Sequence, residues 1–484
     1  MSNIFVRLMH VFWPFRSMSE LRLFLPLALM MGGMLYNFGT LRMLRDGILV
    51  SHLGPEVLSF AEMYVSLPIA VCVTIGMFAL YRRGSLTFVL GVMCAGFISF
   101  FFFFGWVWYP HLSYWHIDRE TLDGWVLLYP RLKWLILLWG HWSFALLHSA
   151  SELWAAAMFN VLFWQIANAI LSTDQAKRLY LLFGVLGNFG TILSGKVISS
   201  MANRGKSDAD YIQDSLWWVI LITALIFLVF QFLRPYLPLH ASSRVSKKDK
   251  PSVLAAIKIV LRSPYLGLIA LLILCYGMSM NIVEAQWKAY ARTVYQDTQS
   301  LTAYIGQFMM WVGISTMAFM VVGSVILQRF SWLTAALVPA MTMGMTALVM
   351  FTLTNWSRGM DSTALPAVYG GIMVMASYFC AIQNILVKSS KYTLFDATKE
   401  MAYIPLDPLL KTQGKAAVDL VGGRVARSGG ACVQTVLLML LPQATLLDLG
   451  IWMWSFVLIC SLVWVGSAMA LHRSYENLLL QTSK

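Results

Sequence analysis

Apolar runs of about twenty residues, each long enough to cross ~30 Å of hydrocarbon as a helix, recur along the whole chain between short stretches of polar punctuation. The pattern predicts twelve spans, near residues 23–50, 57–81, 86–109, 132–169, 178–201, 215–238, 264–291, 303–328, 333–354, 365–390, 416–441 and 446–471. The first and fourth are longer than a minimal span and are expected to tilt or to project beyond the bilayer. Within the fifth, Gly187, Thr191 and Gly195 recur every four residues, a stripe that predicts close helix packing. No strand precedes the surrounding glycines, so they are not read as a dinucleotide fingerprint.

Composition turns this pattern into a class. Of 484 residues, 59% are hydrophobic and 12% charged, the balance of an all-α polytopic membrane protein with no evident soluble domain. Between spans six and seven, RPYLPLHASSRVSKKDKPSVLAAIKIVLR holds seven basic residues and one Asp. By the bias of Lys and Arg toward cytoplasmic loops, this linker is expected inside. Twelve spans then place both termini in the cytoplasm, together with Arg82, Arg83 and the basic segment from Lys388 to Lys415. The linker divides the chain into two six-helix halves: an interfacial N-terminus over 1–22, a first half over 23–238, a basic linker over 239–263, a second half over 264–471 and a cytoplasmic tail over 472–484. The amino terminus lacks a small-residue cleavage site and reads as an interfacial lead-in, and no long Ser- and Arg-rich extension is present; both favour a bacterial inner membrane.

The formal charge of +13 is scattered over short loops, which suits anchoring against anionic lipid and excludes a nucleic-acid partner. Cys72, Cys94, Cys275, Cys380, Cys432 and Cys460 all fall within predicted spans without CxxC spacing, so neither disulfides, a metal site nor a cofactor is expected. No obligatory protein partner is evident. Around Lys415, TQGKAA lacks the first glycine and the Ser or Thr of a phosphate loop, which argues against a pump driven by ATP hydrolysis.

Charge in the middle of a span costs on the order of 3 kcal/mol on insertion scales and marks a watery cavity or a partner. In the first span Arg42, Arg45 and Asp46 share one helical face at i, i+3 and i+4. Arg45 and Asp46, being adjacent, are not expected to neutralise one another. The fourth span carries His141, His148 and Glu152 on one stripe, and the seventh carries Asn281, Glu284 and Lys288. Glu284 and Lys288 also have the spacing of a simple intrahelical ion pair. His141 and His148 are candidates for proton coupling, with plain packing as the alternative. Arg42, Arg45 and Lys288, with Lys196 in the fifth span, outnumber Asp46, Glu152 and Glu284. That excess points to an anionic solute, and a phosphorylated one would suit the cavity, since guanidinium groups clamp phosphate oxygens bidentately. A secondary transporter follows. A polytopic membrane enzyme is the remote alternative, because the loop from Pro110 to Arg131 offers His111, His116, Asp118, Glu120 and Asp123 without metal-ligand spacing.

The block from Lys391 to Gly430 is too rich in specific polar residues for a connector. Phe395 to Asp407 (FDATKEMAYIPLD), Lys411 to Asp419 and Arg424 with Arg427-Ser428-Gly429-Gly430 resemble the nucleotide transporter family, the ATP/ADP translocases of obligate intracellular bacteria and plastids. The likeness extends through SELW at 151–154, AN at 167–168, AKR at 176–178, the run from Tyr276 to Lys288 and IQNIL at 382–386. It implies a major-facilitator-like carrier moving nucleotides by alternating access, most simply ATP:ADP antiport. Proton-coupled net import of ATP or another nucleoside triphosphate is the alternative, with phosphate or protons as further co-substrates. By position it also implies transport roles for Arg45, Glu152, Glu284 and Lys399. The first helix departs from the family's LRDTKD by reading LRMLRD, with Met43 for an Asp and Arg45 for the Lys. Gly140-His141-Trp142 stands where exchangers carry Arg-Asn-Trp.

Overall fold

The computed structural model describes residues 15, 17–202, 204–236, 262–359, 366–406, 418 and 422–482. Among these, eleven helices are long and apolar enough to cross a membrane. They are α1 Met18–Leu53, α2 Val57–Met77, α3 Leu86–Trp115, α4 Trp142–Ile170, α5 Arg178–Ala202, α6 Asp208–Tyr236, α7 Pro264–Val294, α8 Thr298–Leu327, α9 Trp332–Gly359, α10 Gly370–Ala402 and α12 Gly450–Leu478. A shorter apolar helix, α11 Val425–Leu440, precedes α12. No strand is present among the described residues.

The helices begin where the sequence supplies caps. Ser17, Ser207, Ser263 and Asp297 each accept the backbone N–H three residues on, at the starts of α1, α6, α7 and α8. Such caps satisfy donors that a helix start leaves orphaned. Between α1 and α2 the chain reverses at Gly54, whose φ of 97° favours glycine.

Two boundaries differ from the hydropathy pattern. The single long span expected over 132–169 is broken at His141, whose φ of −112° and ψ of 44° are not helical. A short helix, Lys133–Gly140, precedes the break, and Leu122 fills the space a side chain on Gly140 would need. Conversely, the tenth span does not stop near residue 390. It continues through a π-helical turn, Lys391–Phe395, into Asp396–Ala402. Lys388 and Lys391 thus sit inside the bundle and not in a basic loop. Of the segments singled out in the sequence, residues 1–14, 16, 237–261, 365, 407–417 and 419–421 lie outside the described residues, which takes in most of the linker and all of the Lys411 to Asp419 motif but Val418.

Of the α5 stripe, Gly187 packs against Leu35 and Met31 of α1 and Gly195 against α8, and Gly190, outside the stripe, makes a further close approach. A Cβ on Gly190 would run into the backbone oxygen of Gly32 on α1, and one on Gly195 into that of Gly306 on α8. Two turns further along the same face of α8, Gly313 lies against Ile192 of α5. α5 is thereby held against both helices by backbone contact.

One end of the bundle is stitched shut. Arg292 at the end of α7 donates to the carbonyls of Val50 and Ser51 at 3.2 and 2.9 Å, filling orphaned acceptors at the end of α1. Ser51 meets Thr298 at 2.8 Å. Glu56 accepts the backbone N–H of Leu446 at 3.0 Å, and Gln286 donates to the Leu446 carbonyl at 2.6 Å. These bonds tie the α1–α2 and α11–α12 turns to α7 and α8.

Candidate functional site

A cavity of about 540 Å³ lies between α1, α2, α4, α7, α10 and α11. It starts below the stitched end, at Ser59 and Lys288, and extends toward the opposite end, where Asn160, Ile273 and Lys399 line it. Seven cations line it, Arg42, Arg45, Lys288, Lys388, Lys391, Lys399 and Arg427, with five carboxylates, Asp46, Glu62, Glu152, Glu284 and Asp396. The excess of positive charge inferred from the sequence is present, although Lys196 has no part in it. That side chain is exposed on α5, near the helix end, where a lysine can snorkel to the interface.

The charges form a network across helices. Glu284 on α7 is paired with Arg42 of α1, with Lys288 one turn on at 2.9 Å and with Lys388 of α10 at 3.2 Å. Lys288 also reaches Asp46 of α1 at 2.8 Å. The intrahelical Glu284–Lys288 pair is real, but it is one strand of an interhelical knot. Arg45 pairs with Glu152 of α4 at 2.5 Å, and Arg427 of α11 meets the other Glu152 oxygen at 3.3 Å. Arg45 Nε also comes within 3.3 Å of Asp46 Oδ1, contrary to the expectation from their adjacency. The long guanidinium folds back along the helix, which Cβ directions alone do not anticipate.

Several of these contacts are ionic without aligned hydrogen bonds. Arg45 Nε, both Asp46 oxygens and Lys388 Nζ are buried and lack a bonded partner. Buried polar atoms without partners are costly, and two of these four, Arg45 Nε and Lys388 Nζ, are donors that a ligand's phosphate oxygens could take up, while the Asp46 oxygens are acceptors. Aromatic side chains, Phe38, Phe159, Tyr276, Tyr392 and Phe395, line the same cavity. Tyr276 and Phe395 stack with ring centroids 5.3 Å apart, a surface on which a planar base could lie.

Of the residues singled out in the sequence, Arg42, Arg45, Asp46, His148, Glu152, Asn281, Glu284, Lys288 and Lys399 all line the cavity. His148 is 5% exposed and its Nδ1 has no hydrogen-bond partner. His141 does not join them. The break at residue 141 takes it off the α4 stripe, and it packs against His116 with ring centroids 4.9 Å apart while Nδ1 meets the Leu137 carbonyl at 2.9 Å. Lys399 comes within 3.7 Å of Glu400 at the cavity's far end.

Five charged lining residues were not singled out as cavity groups in the sequence: Glu62, Lys388, Lys391, Asp396 and Arg427. The Glu62 signal was there, a carboxylate six residues into an apolar run. The α10 residues were hidden by the apparent end of the span near 390. Three of the cavity's helices carry π-helical turns where they line it: Ala61–Ser66 in α2, Ala155–Phe163 in α4 and Lys391–Phe395 in α10. Such turns concentrate at functional sites. No group of three His, Cys, Asp or Glu suited to a metal is present among the described residues.

Comparison with known proteins places the whole chain. An ADP,ATP carrier protein 3 of Rickettsia felis is 34% identical over 498 residues, covering 98% of both chains. An ADP,ATP carrier protein 1 of Rickettsia conorii is 34% identical over 493 residues, covering 100% of this chain and 99% of that one. Among solved structures, a bacterial homologue of the iron transporter ferroportin in an inward-facing state superposes with a TM-score of 0.61 at 14% identity, over 94% of this chain and 100% of that one. The nucleoside transporter NupG does so at 0.53 and 12%, over 94% and 99%. These two share the fold. The profile of the TLC ATP/ADP transporter family matches residues 1–475, and the chain belongs to that family.

Proposed function

We propose that this protein is a secondary transporter that exchanges ATP for ADP across a bacterial inner membrane, importing ATP. The observation that carries this reading is the knot of Arg42, Lys288 and Lys388 around Glu284 in a central cavity. A polyphosphate competes with the carboxylate for those three cations, and Arg45 with Arg427 does the same around Glu152. ATP and ADP are both large enough to reach several of these groups at once. The ion pairs between α1 and α7 re-form when the ligand leaves, so the empty site keeps its charges matched.

The halves over 23–238 and 264–471 rock about this site in alternating access. In this reading the cavity faces inward, supported by its running toward the end of the bundle that holds Arg83, Arg329 and Lys399, the basic side. Both termini are then cytoplasmic. In this scheme Glu152 and Glu284 change ion-pair partners between states, and Lys399 closes the cytoplasmic side.

The test is uptake of labelled ATP by proteoliposomes containing the purified chain, with and without ADP inside. Exchange predicts that internal ADP stimulates uptake at least tenfold and that an uncoupler has little effect. Uptake that ignores internal ADP and is abolished by an uncoupler supports proton-coupled net import instead, for which His148, buried at the cavity with an unpartnered ring nitrogen, is the candidate proton carrier. If no nucleotide competes, the nucleotide reading fails.

A further inference from the structure

Four of the five cavity carboxylates are matched to cations: Asp46 to Lys288, Glu152 to Arg45 and Arg427, Glu284 to its three partners, and Asp396 to Lys391 at 2.9 Å. Glu62 is the exception. Among the described residues it forms no ion pair, and its hydrogen bond comes from Asn281, whose Nδ2 donates to Oε2 at 3.0 Å. Asn281 is itself fixed. Its Oδ1 accepts from Gln434 Nε2 at 2.8 Å, and Gln434 Oε1 accepts from Ser59 Oγ at 3.1 Å. Ser59 and Gln434 are buried, so neither amide can turn over without leaving a donor or acceptor unpaired. The relay crosses α2, α11 and α7 and ends on one oxygen of a carboxylate that faces the cavity. The other oxygen, Oε1, has no hydrogen-bond partner among the described residues.

This is a built acceptor with spare capacity: among the described residues it pairs with none of Arg42, Lys288 and Lys388, the cations of the Glu284 knot, and the cations that act on it through space are Arg427 and Arg45. A carboxylate repels phosphate, so the phosphate end of a bound anion is directed to that knot. What remains to meet Glu62 is the uncharged end, whose hydrogen-bond donors are hydroxyls and amines. We infer that Glu62 reads the nucleoside end of the transported nucleotide, its Oε1 accepting a hydrogen bond from a sugar hydroxyl or from an exocyclic base amine. The inference rests on the nucleotide reading above. Asn281, Gln434 and Ser59 act as positioning residues, since they hold the acceptor in place without themselves being required to touch the ligand. A site built to accept a hydrogen bond rejects analogues that lack the donor far more strongly than an apolar wall does.

The experiment is competition of labelled ATP uptake in proteoliposomes by unlabelled ATP, its 2′-deoxy and 3′-deoxy analogues, and inosine triphosphate, which lacks the exocyclic amine. Wild-type protein is expected to bind at least one analogue about tenfold or more weakly than ATP, and the identity of that analogue separates hydroxyl from amine. Glu62→Ala is expected to close that same gap, leaving the other analogues' ranking unchanged. Gln434→Leu, which frees Asn281 but keeps Glu62, is expected to narrow it. Glu62→Asp withdraws the oxygens by one methylene and is also expected to narrow the gap; it serves as the decisive variant if the alanine protein is not recovered from membranes. A wild-type protein that treats all four nucleotides alike overturns the inference. So does a Glu62→Ala protein with the full gap, including one that has lost only sensitivity to an uncoupler. Absence of competition by any nucleotide overturns this inference and the nucleotide reading together, whereas competition with an unchanged gap overturns this inference alone.

Discussion

Lys388 of α10 reaches Glu284 of α7 at 3.2 Å, making it the third cation on a carboxylate already held by Arg42 and Lys288. Replacing Glu284 with Gln leaves those three cations close together without their counter-charge. Ligand phosphate then becomes the only nearby anion besides Asp46, so ATP is expected to bind more tightly and leave more slowly. The measurable outcome is a lower KM for uptake together with an exchange rate reduced at least about tenfold, equivalent to ~1.4 kcal/mol on the barrier. An unchanged KM would remove Glu284 from competition with phosphate.

Arg45→Ala is expected to abolish exchange while the protein still inserts, because Glu152 keeps Arg427 as a partner. Uptake should fall by more than about tenfold, again ~1.4 kcal/mol or more. Arg45→Lys, which restores the family's residue at this position, should retain transport. Wild-type uptake by the alanine protein would take Arg45 out of the site.

Arg292→Ala removes both side-chain donors to the Val50 and Ser51 carbonyls and so weakens the stitched end. A cysteine placed at Thr298, a position 3% exposed, serves as a reporter in a protein whose six native cysteines have been replaced. Its labelling by a membrane-impermeant maleimide from the side of the stitched end should rise severalfold in the arginine-less background. Equal labelling would show that Arg292 contributes nothing to closure.

His116 lies outside the spans, with Nε2 2.7 Å from Ser143 Oγ. Burial, then the neighbouring His141 and His52, lowers its imidazole from 6.5 to about 4. The folded protein therefore favours the neutral ring. Its contribution to stability is fully present above pH 6.5 and is lost progressively as pH falls from 6.5 toward 4, where protonation matches that of the unfolded chain. Melting temperatures of the purified protein should decline through that window. His116→Asn should flatten the decline, and an identical slope in the variant would rule this residue out as its source.

Much of this site was legible in the sequence because its chemistry is expensive in a membrane. Arg42, Arg45, Asp46, Glu284 and Lys288 repeat at helical spacing within apolar runs, and only a cavity or a partner accounts for them. Glu152 and Asn281 were found in the same way. Lys388 was not, because a lysine near the apparent end of an apolar run is ordinarily one that snorkels to water. The π-helical turn that carries α10 onward has no clear mark in hydropathy. His141 failed for the opposite reason: a seven-residue spacing places it beside His148 only on an unbroken helix, and the backbone breaks at that residue. Glu62 needed a third dimension, since its meaning comes from the cations that do not reach it.

The glycine contacts that bring α5 against α8 also bear on how the molecule can move. Where Gly195 meets Gly306 the touching surfaces are backbone, so there are no long side chains to withdraw and re-seat when one helix tilts on the other. The line of contact is a bearing. Interlocked side chains resist rotation like gear teeth; at the Gly195–Gly306 crossing there are none to disengage, and the tooth in this seam is Ile192, seated against Gly313 further along.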